Sequence, residues 1–378
     1  MSRLQLSVLT SACAVGILDP VASPLLSVYG EIDLEIASHR LGPTGVEFYL
    51  AMEPDLPHLA NQPAITSGSL TGVLPPNSNR PVNAVEILGA MLPQQLERSA
   101  DLINRVIRSR DSDRTIVAVA TFFPEISRSN EMGYPARQQA VNALANSLRL
   151  AAILNRDFKH RIAALEAVTG SRIRILEKTE DADPLSESDK GSQHTIALDR
   201  PEVVRERLIG SLADAWSQLD GDPLKEFAPP VALELEPGPC FLLQDEHSLT
   251  ELAGLLDGTP TLNGLVGFNL DIAHFRIANV SLDAVCGVHS IRDRILHAHV
   301  SGHHRCAHFG DGVIEADDEG EIRRWLKFLT ELWSAADRER RTSKGLAQFS
   351  GYVSLELEAT RCAADVIESA RRISGWIP

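Results

Sequence analysis

The sequence predicts an α/β protein: one closed (β/α)8 barrel with insertions, formed by residues 1–378 as a single domain. Three observations point there. Eight short β-branched or apolar runs alternate with helical stretches, as repeated βα units around a parallel sheet require. No Gly/Pro/Ser-rich linker divides the chain into balanced halves. Four successive runs in the C-terminal half end in acidic or histidine residues, and the C-terminal strand ends are where such barrels gather functional groups.

Residues 4–9 read as the first strand, because Gln5, Ser7, Thr10 and Ser11 interrupt the apolar character a signal peptide needs. Residues 46–50 form the second. Residues 64–73 offer a further strand and 82–108 a long helix kinked or split at Pro93, so strand numbering in the first third is open by one element. Residues 115–121 and 172–176 supply the third and fourth strands, with a helix over 136–154 between them. The Asp-, Ser-, Glu- and Lys-rich stretch at about 178–195 reads as a solvated insertion. Strands at 231–236, 266–271, 295–300 and 352–356 then alternate with helices at 201–219, 248–256, 281–294, 321–338 and 363–373. Trp216, Trp325, Trp333 and Trp376 fit packing roles. The basic run Arg338 to Arg341 reads as a solvated helix end.

Composition narrows the function. There are 36 Lys and Arg against 51 Asp and Glu, a formal net charge of -15, which argues against a duplex-binding surface. Aromatic residues are 5%, too few for a base-stacking platform. Five cysteines with no paired spacing fit reduced thiols and a cytoplasmic location. No apolar run is long enough to span a membrane. The expected partner is a small molecule, not nucleic acid or membrane, and a homo-oligomer is compatible with the sequence.

The chemistry lies in the last four strands. In Val231-Ala-Leu-Glu-Leu-Glu-Pro-Gly238, alternation turns Glu234 and Glu236 to one side, just before Pro237 ends the strand. The bland alternative is an edge strand showing its glutamates to water. Asp271 ends the next strand with His274 three residues later, a pairing that suits a divalent cation but is also what a helix cap looks like. His297 and His299 share a strand face, and His303, His304 and His308 follow in the loop; a surface pH sensor is the competing reading. Glu356 and Glu358 repeat the Glu-Leu-Glu arrangement on the last strand. Brought together, such groups offer oxygen ligands and one nitrogen, suited to Mn²⁺, Mg²⁺, Co²⁺ or Zn²⁺. A cation would also relieve the repulsion among three carboxylates in one pocket.

This ordered set resembles the xylose-isomerase-like TIM-barrel superfamily, and its metal site resembles that of the ketose 3-epimerase branch. The resemblance is carried by residues 231–360 and is faint before them. It implies metal ligands at Asp271, His299 and Glu356, with Glu234 or Glu236 first; Glu236 is preferred because related isomerases often place Pro directly after that Glu, as Pro237 is here. It implies Glu236 and Glu356 as the catalytic pair, and His274, Arg305, Glu234, His297 and Glu358 on the substrate side, with Glu234 and Glu358 as partners or alternates of the ligands. The activity implied is a divalent-metal-dependent isomerisation or epimerisation of a sugar or polyol, through proton transfer at carbon beside a carbonyl and a metal-stabilised enediolate. The epimerases carry a second substrate-side Glu six residues after the first ligand, where this chain has Cys240 or Leu242. Glu-Leu-Glu-Pro instead resembles a metabolite-traffic branch of the superfamily, so a non-catalytic metabolite-binding barrel is an alternative, as is a metal-dependent hydrolase or lyase. The positions of a three-metal nuclease site are not recognisable in the first half.

Overall fold

The computed structural model describes residues 4–9, 45–51, 84–108, 114–121, 123–127, 137–168, 170–176, 195–238, 241–303, 311–357 and 363–378. Eight strands close a barrel: β1 (Gln5–Leu9), β2 (Gly45–Ala51), β3 (Thr115–Thr121), β4 (Ala164–Val168), β5 (Val231–Glu234), β6 (Val266–Asp271), β7 (Ile295–Val300) and β8 (Tyr352–Leu355). Every neighbouring pair is parallel, and β1 pairs with both β2 and β8, so the sheet has no edge. β5, β6 and β7 are buried along their whole lengths, which is why their sequences read as nearly continuous apolar runs broken only by the groups they deliver inward.

The fourth strand corrects the sequence reading. Residues 173–176 do form a strand (Ile173–Leu176), but it pairs antiparallel with Thr195–Leu198 in a separate hairpin. The barrel position belongs to Ala164–Val168, whose sequence Ala-Leu-Glu-Ala-Val carries a weaker β signal because its small alanines suit a crowded interior. The hairpin flanks the expected insertion, most of which lies outside the described residues, as does the further strand expected over 64–73.

The stretch at 82–108 is split: α1 (Ala84–Ala90) ends before α2 (Pro93–Arg108), with Pro93 at the first helical position, where its missing N–H costs nothing. Then come α3 (Arg137–Phe158), α4 (Pro201–Ser217) and α5 (Glu246–Asp257), the last capped by Asp245, which accepts from the Ser248 N–H at 2.8 Å. α6 (Ile272–Ile277) leaves β6 directly. Two expected single helices are broken, 281–294 into α7 (Leu282–Gly287) and α8 (His289–Arg292), and 321–338 into α9 (Glu319–Leu332) and α10 (Ala335–Ser343). Ser334 starts α10 by accepting from the Asp337 N–H at 3.2 Å. α11 (Ala363–Trp376) closes the chain. No helix among the described residues is long and apolar enough to cross a membrane.

Packing explains two sequence features. Trp325 on α9 stacks on Phe275 of α6 with ring centroids 5.7 Å apart, which packs α9 against α6. Gly267 lets β6 approach β7: a Cβ there would stand 2.1 Å from the Arg294 carbonyl oxygen. The basic run at the end of α10 is not uniformly solvated. Arg341 is fully buried, donating to Asp337 Oδ2 at 2.8 Å, the Ile295 carbonyl at 2.9 Å and the Arg292 carbonyl at 2.9 Å, so it fastens α10 to the start of β7.

Candidate metal centre

The register between strands sets the site. Asp271, the last residue of β6, pairs with His299 of β7, and His299 pairs with Ser354 of β8. Glu234, the last residue of β5, pairs with Asn269, two residues below Asp271. One ligand atom each from Glu234, Asp271, His299 and Glu356 lies within 4.8 Å of the others, and all four residues are buried. His299 is the hub. Its Nδ1 is 2.7 Å from Glu356 Oε2 and 3.2 Å from Glu234 Oε1. The Asn269 amide nitrogen is 3.1 Å from the same Nδ1 and donates to Glu234 Oε1, also at 3.1 Å.

Asp271 combines the two readings its sequence position allowed. Its Oδ1 accepts the His274 backbone N–H at 2.6 Å and so caps α6, while Oδ2 is buried with no hydrogen-bond partner among the described residues. A buried carboxylate oxygen without a donor is costly. Three carboxylates and an imidazole nitrogen form a hard, mostly oxygen donor set that fits a divalent cation, which would satisfy that oxygen and offset the repulsion.

The carboxylate that completes the set is Glu234, where the sequence preferred Glu236. Glu234 is still in the strand ladder, whereas Glu236 lies two residues beyond it and its N–H donates to the Leu243 carbonyl at 2.9 Å. That turn sends the Glu236 carboxylate to a second cluster with Glu234 and His274. His274 Nδ1 donates to the Leu235 carbonyl at 3.0 Å and stands 3.9 Å from Glu234 Oε1 and 4.0 Å from Glu236 Oε2. Alternation put both glutamates inward; the end of the ladder separated their destinations. Arg305 and Glu358 lie outside the described residues.

Beneath the rim the barrel holds polar groups that the motif reading did not single out. Glu47 of β2 places Oε2 3.0 Å from His299 Nε2 and 3.0 Å from His297 Nε2. His297 thus sits one layer below the rim, its ring 5.5 Å from that of His299. Glu166 of β4 is buried beside this network. A single glutamate within an apolar strand carries no spacing, so the only signal for either was an acidic residue where a buried strand should have none.

Charge follows the geometry. Burial opposes the charged form of His299, but Glu47, Glu356 and Glu234 outweigh it and raise its pKa well above the usual histidine value. Burial would raise Glu47, yet His299 and His297 hold it well below the ordinary carboxylate range. Asp271 is likewise held low against its burial, by His274 and His299. Glu166 goes the other way: burial, and then the charge of Glu234, push it well above the normal value.

No protein-family model matches the sequence, and no curated protein does. Solved structures match over the whole length. The IolI protein with a binding zinc atom aligns at a TM-score of 0.51 with 13% identity, over 99% of this chain and 98% of that one. A D-tagatose 3-epimerase-like protein aligns at 0.51 with 13% identity, over 98% and 96%. The 3-keto-D-glucoside 4-epimerase YcjR from E. coli aligns at 0.51 with 11% identity, over 99% of each chain. This chain has the fold of these three proteins, a closed parallel barrel of eight strands.

Proposed function

We propose that this protein is a divalent-metal-dependent isomerase or epimerase of a sugar or polyol, moving a proton at carbon beside a carbonyl. The observation that carries the reading is the convergence of Glu234, Asp271, His299 and Glu356, with ligand atoms within 4.8 Å of one another at the C-terminal ends of β5 to β8. A divalent ion held there supplies Lewis-acid polarisation of a substrate carbonyl. The chain's own residues do the rest. Glu234 and Glu356 come from strands separated by two others, yet both reach His299 Nδ1, so they flank the site as two carboxylates able to take a proton from carbon and return one. Asn269 steadies Glu234, and Asp271 is steadied through its cap on α6. His274, oriented by Leu235 and close to both Glu234 and Glu236, serves to position substrate oxygens.

The metal half of the reading is tested by elemental analysis of the purified protein together with alanine changes at the four ligands. Stoichiometric metal in the wild type, lost on each change, is expected; retention in all four variants would refute the site. The chemical half is tested by incubating candidate ketoses in D2O, where deuterium should enter the substrate at carbon next to the carbonyl. A metal-loaded protein that binds such sugars but never labels them would instead be a metabolite carrier.

A further inference from the structure

We infer that Glu47 is a positioning residue for the rim donor set: it holds the His299 ring with Nδ1 turned toward Glu234, Asp271 and Glu356, and is itself fixed from below by His297. The inference rests on the metal reading above. Glu47 lies on β2, with β1 and β8 between it and β7, and reaches His299 across the barrel interior. Glu47, His297 and His299 are all fully buried. An imidazole that donates its Nε2 proton to a carboxylate presents an Nδ1 lone pair to a cation, with its tautomer and ring plane both set.

The network is tied down at its far end as well. His297 Nε2 is 3.0 Å from Ser354 Oγ and its Nδ1 is 2.8 Å from Ser350 Oγ; Ser354 Oγ is in turn 2.6 Å from Ser7 Oγ. Side chains from β1, β2, β7 and β8 therefore form one connected path ending at His299. Filling this layer with a carboxylate and two imidazoles, where leucines would pack, costs desolvation energy. Orientation of a ligand is a return that leucines would not provide. The same three atoms, Glu47 Oε2, His297 Nε2 and His299 Nε2, are also close enough to share an ion of their own, and that occupancy is the rival outcome.

The test uses the full chain, stripped of metal and titrated with Zn²⁺ against a competing chelator. The expected wild-type result is one ion per chain, with Glu47→Gln raising the apparent dissociation constant about 10- to 100-fold, the usual effect of removing such a partner. Circular dichroism and melting of the metal-free variant show whether it is folded. On the wild type, NMR of 15N-histidine-labelled, zinc-loaded protein should show His299 protonated at Nε2, a measurement that stands even if Glu47→Gln does not fold. Equal affinity in the variant, an unprotonated His299 Nε2, or a second ion lost on Glu47→Gln would overturn the inference alone. A wild-type chain that takes up no ion would overturn the metal reading and this inference with it.

Discussion

Asp271 uses its two oxygens for different purposes, and much of the site follows from that division. Oδ1 anchors the start of α6, which fixes the Asp271 carboxylate within the donor set at the rim, and Oδ2 is left without a hydrogen-bond partner among the described residues. Glu234 belongs both to the ligand set and to the His274 cluster, whereas Glu236 belongs to the His274 cluster alone. Glu234→Ala is therefore expected to lose stoichiometric metal, whereas Glu236→Ala should keep it, with at most the roughly 10- to 100-fold weakening of an outer partner. Competition titration of the two variants checks this, and the reverse order would return the ligand role to Glu236. A second residue-scale prediction lies away from the site. His160 is buried, accepts the Ile116 N–H through Nδ1 at 3.1 Å, and is pushed down to about 4 by burial and by Arg108. An unfolded histidine titrates near 6.5, so between these values the unfolded chain binds more protons and stability falls as pH drops. The loss should reach roughly 2 to 3 kcal/mol by pH 4. Urea melts across that range should show a shallower decline in His160→Gln.

At the scale of elements, the barrel depends on what fastens helices to strand beginnings. Arg341 of α10 fills that role at β7, bonded to Asp337 and to carbonyls of Ile295, Arg292 and Ala347 with no exposure to solvent. Arg341→Leu would remove the donor to Asp337 Oδ2 and strand those carbonyls, while Asp337 Oδ1 keeps Arg340 at 2.7 Å and Arg292 at 3.3 Å, so the change is expected to cost about 2 to 4 kcal/mol. The urea midpoint measures it; a loss under about 1 kcal/mol would show that water replaces the guanidinium. Helix starts were legible where a proline at the first helical position announced them, as with Pro93 and Pro201. Breaks inside long apolar stretches were not, because the pattern that makes 321–338 amphipathic continues across the Ser334 cap. β4 was missed for a related reason: a strand facing a crowded interior needs small residues, and these weaken the β pattern that a reader of sequence relies on.

For the whole molecule, the donor set links fold and ion. A cation that binds the folded barrel alone stabilises it by about 2.7 kcal/mol when present at a hundredfold excess over its dissociation constant. Complete removal of metal by chelator should therefore lower the melting temperature, and re-addition should restore it; an unchanged melt would count against the site. Periodicity and strand-end residues in the sequence determined the parallel barrel, and with the resemblance they pointed to Asp271, His299 and Glu356 as partners. Alternation also turned Glu234 and Glu236 to the same side. Which of the two reaches His299, and that Glu47 and Glu166 enter the interior at all, only the closed barrel decided. The physical reason is that strand alternation fixes the face a side chain takes from its immediate neighbours, while distances between residues such as Glu47 and His299 arise only when β1 meets β8 and the sheet becomes a ring.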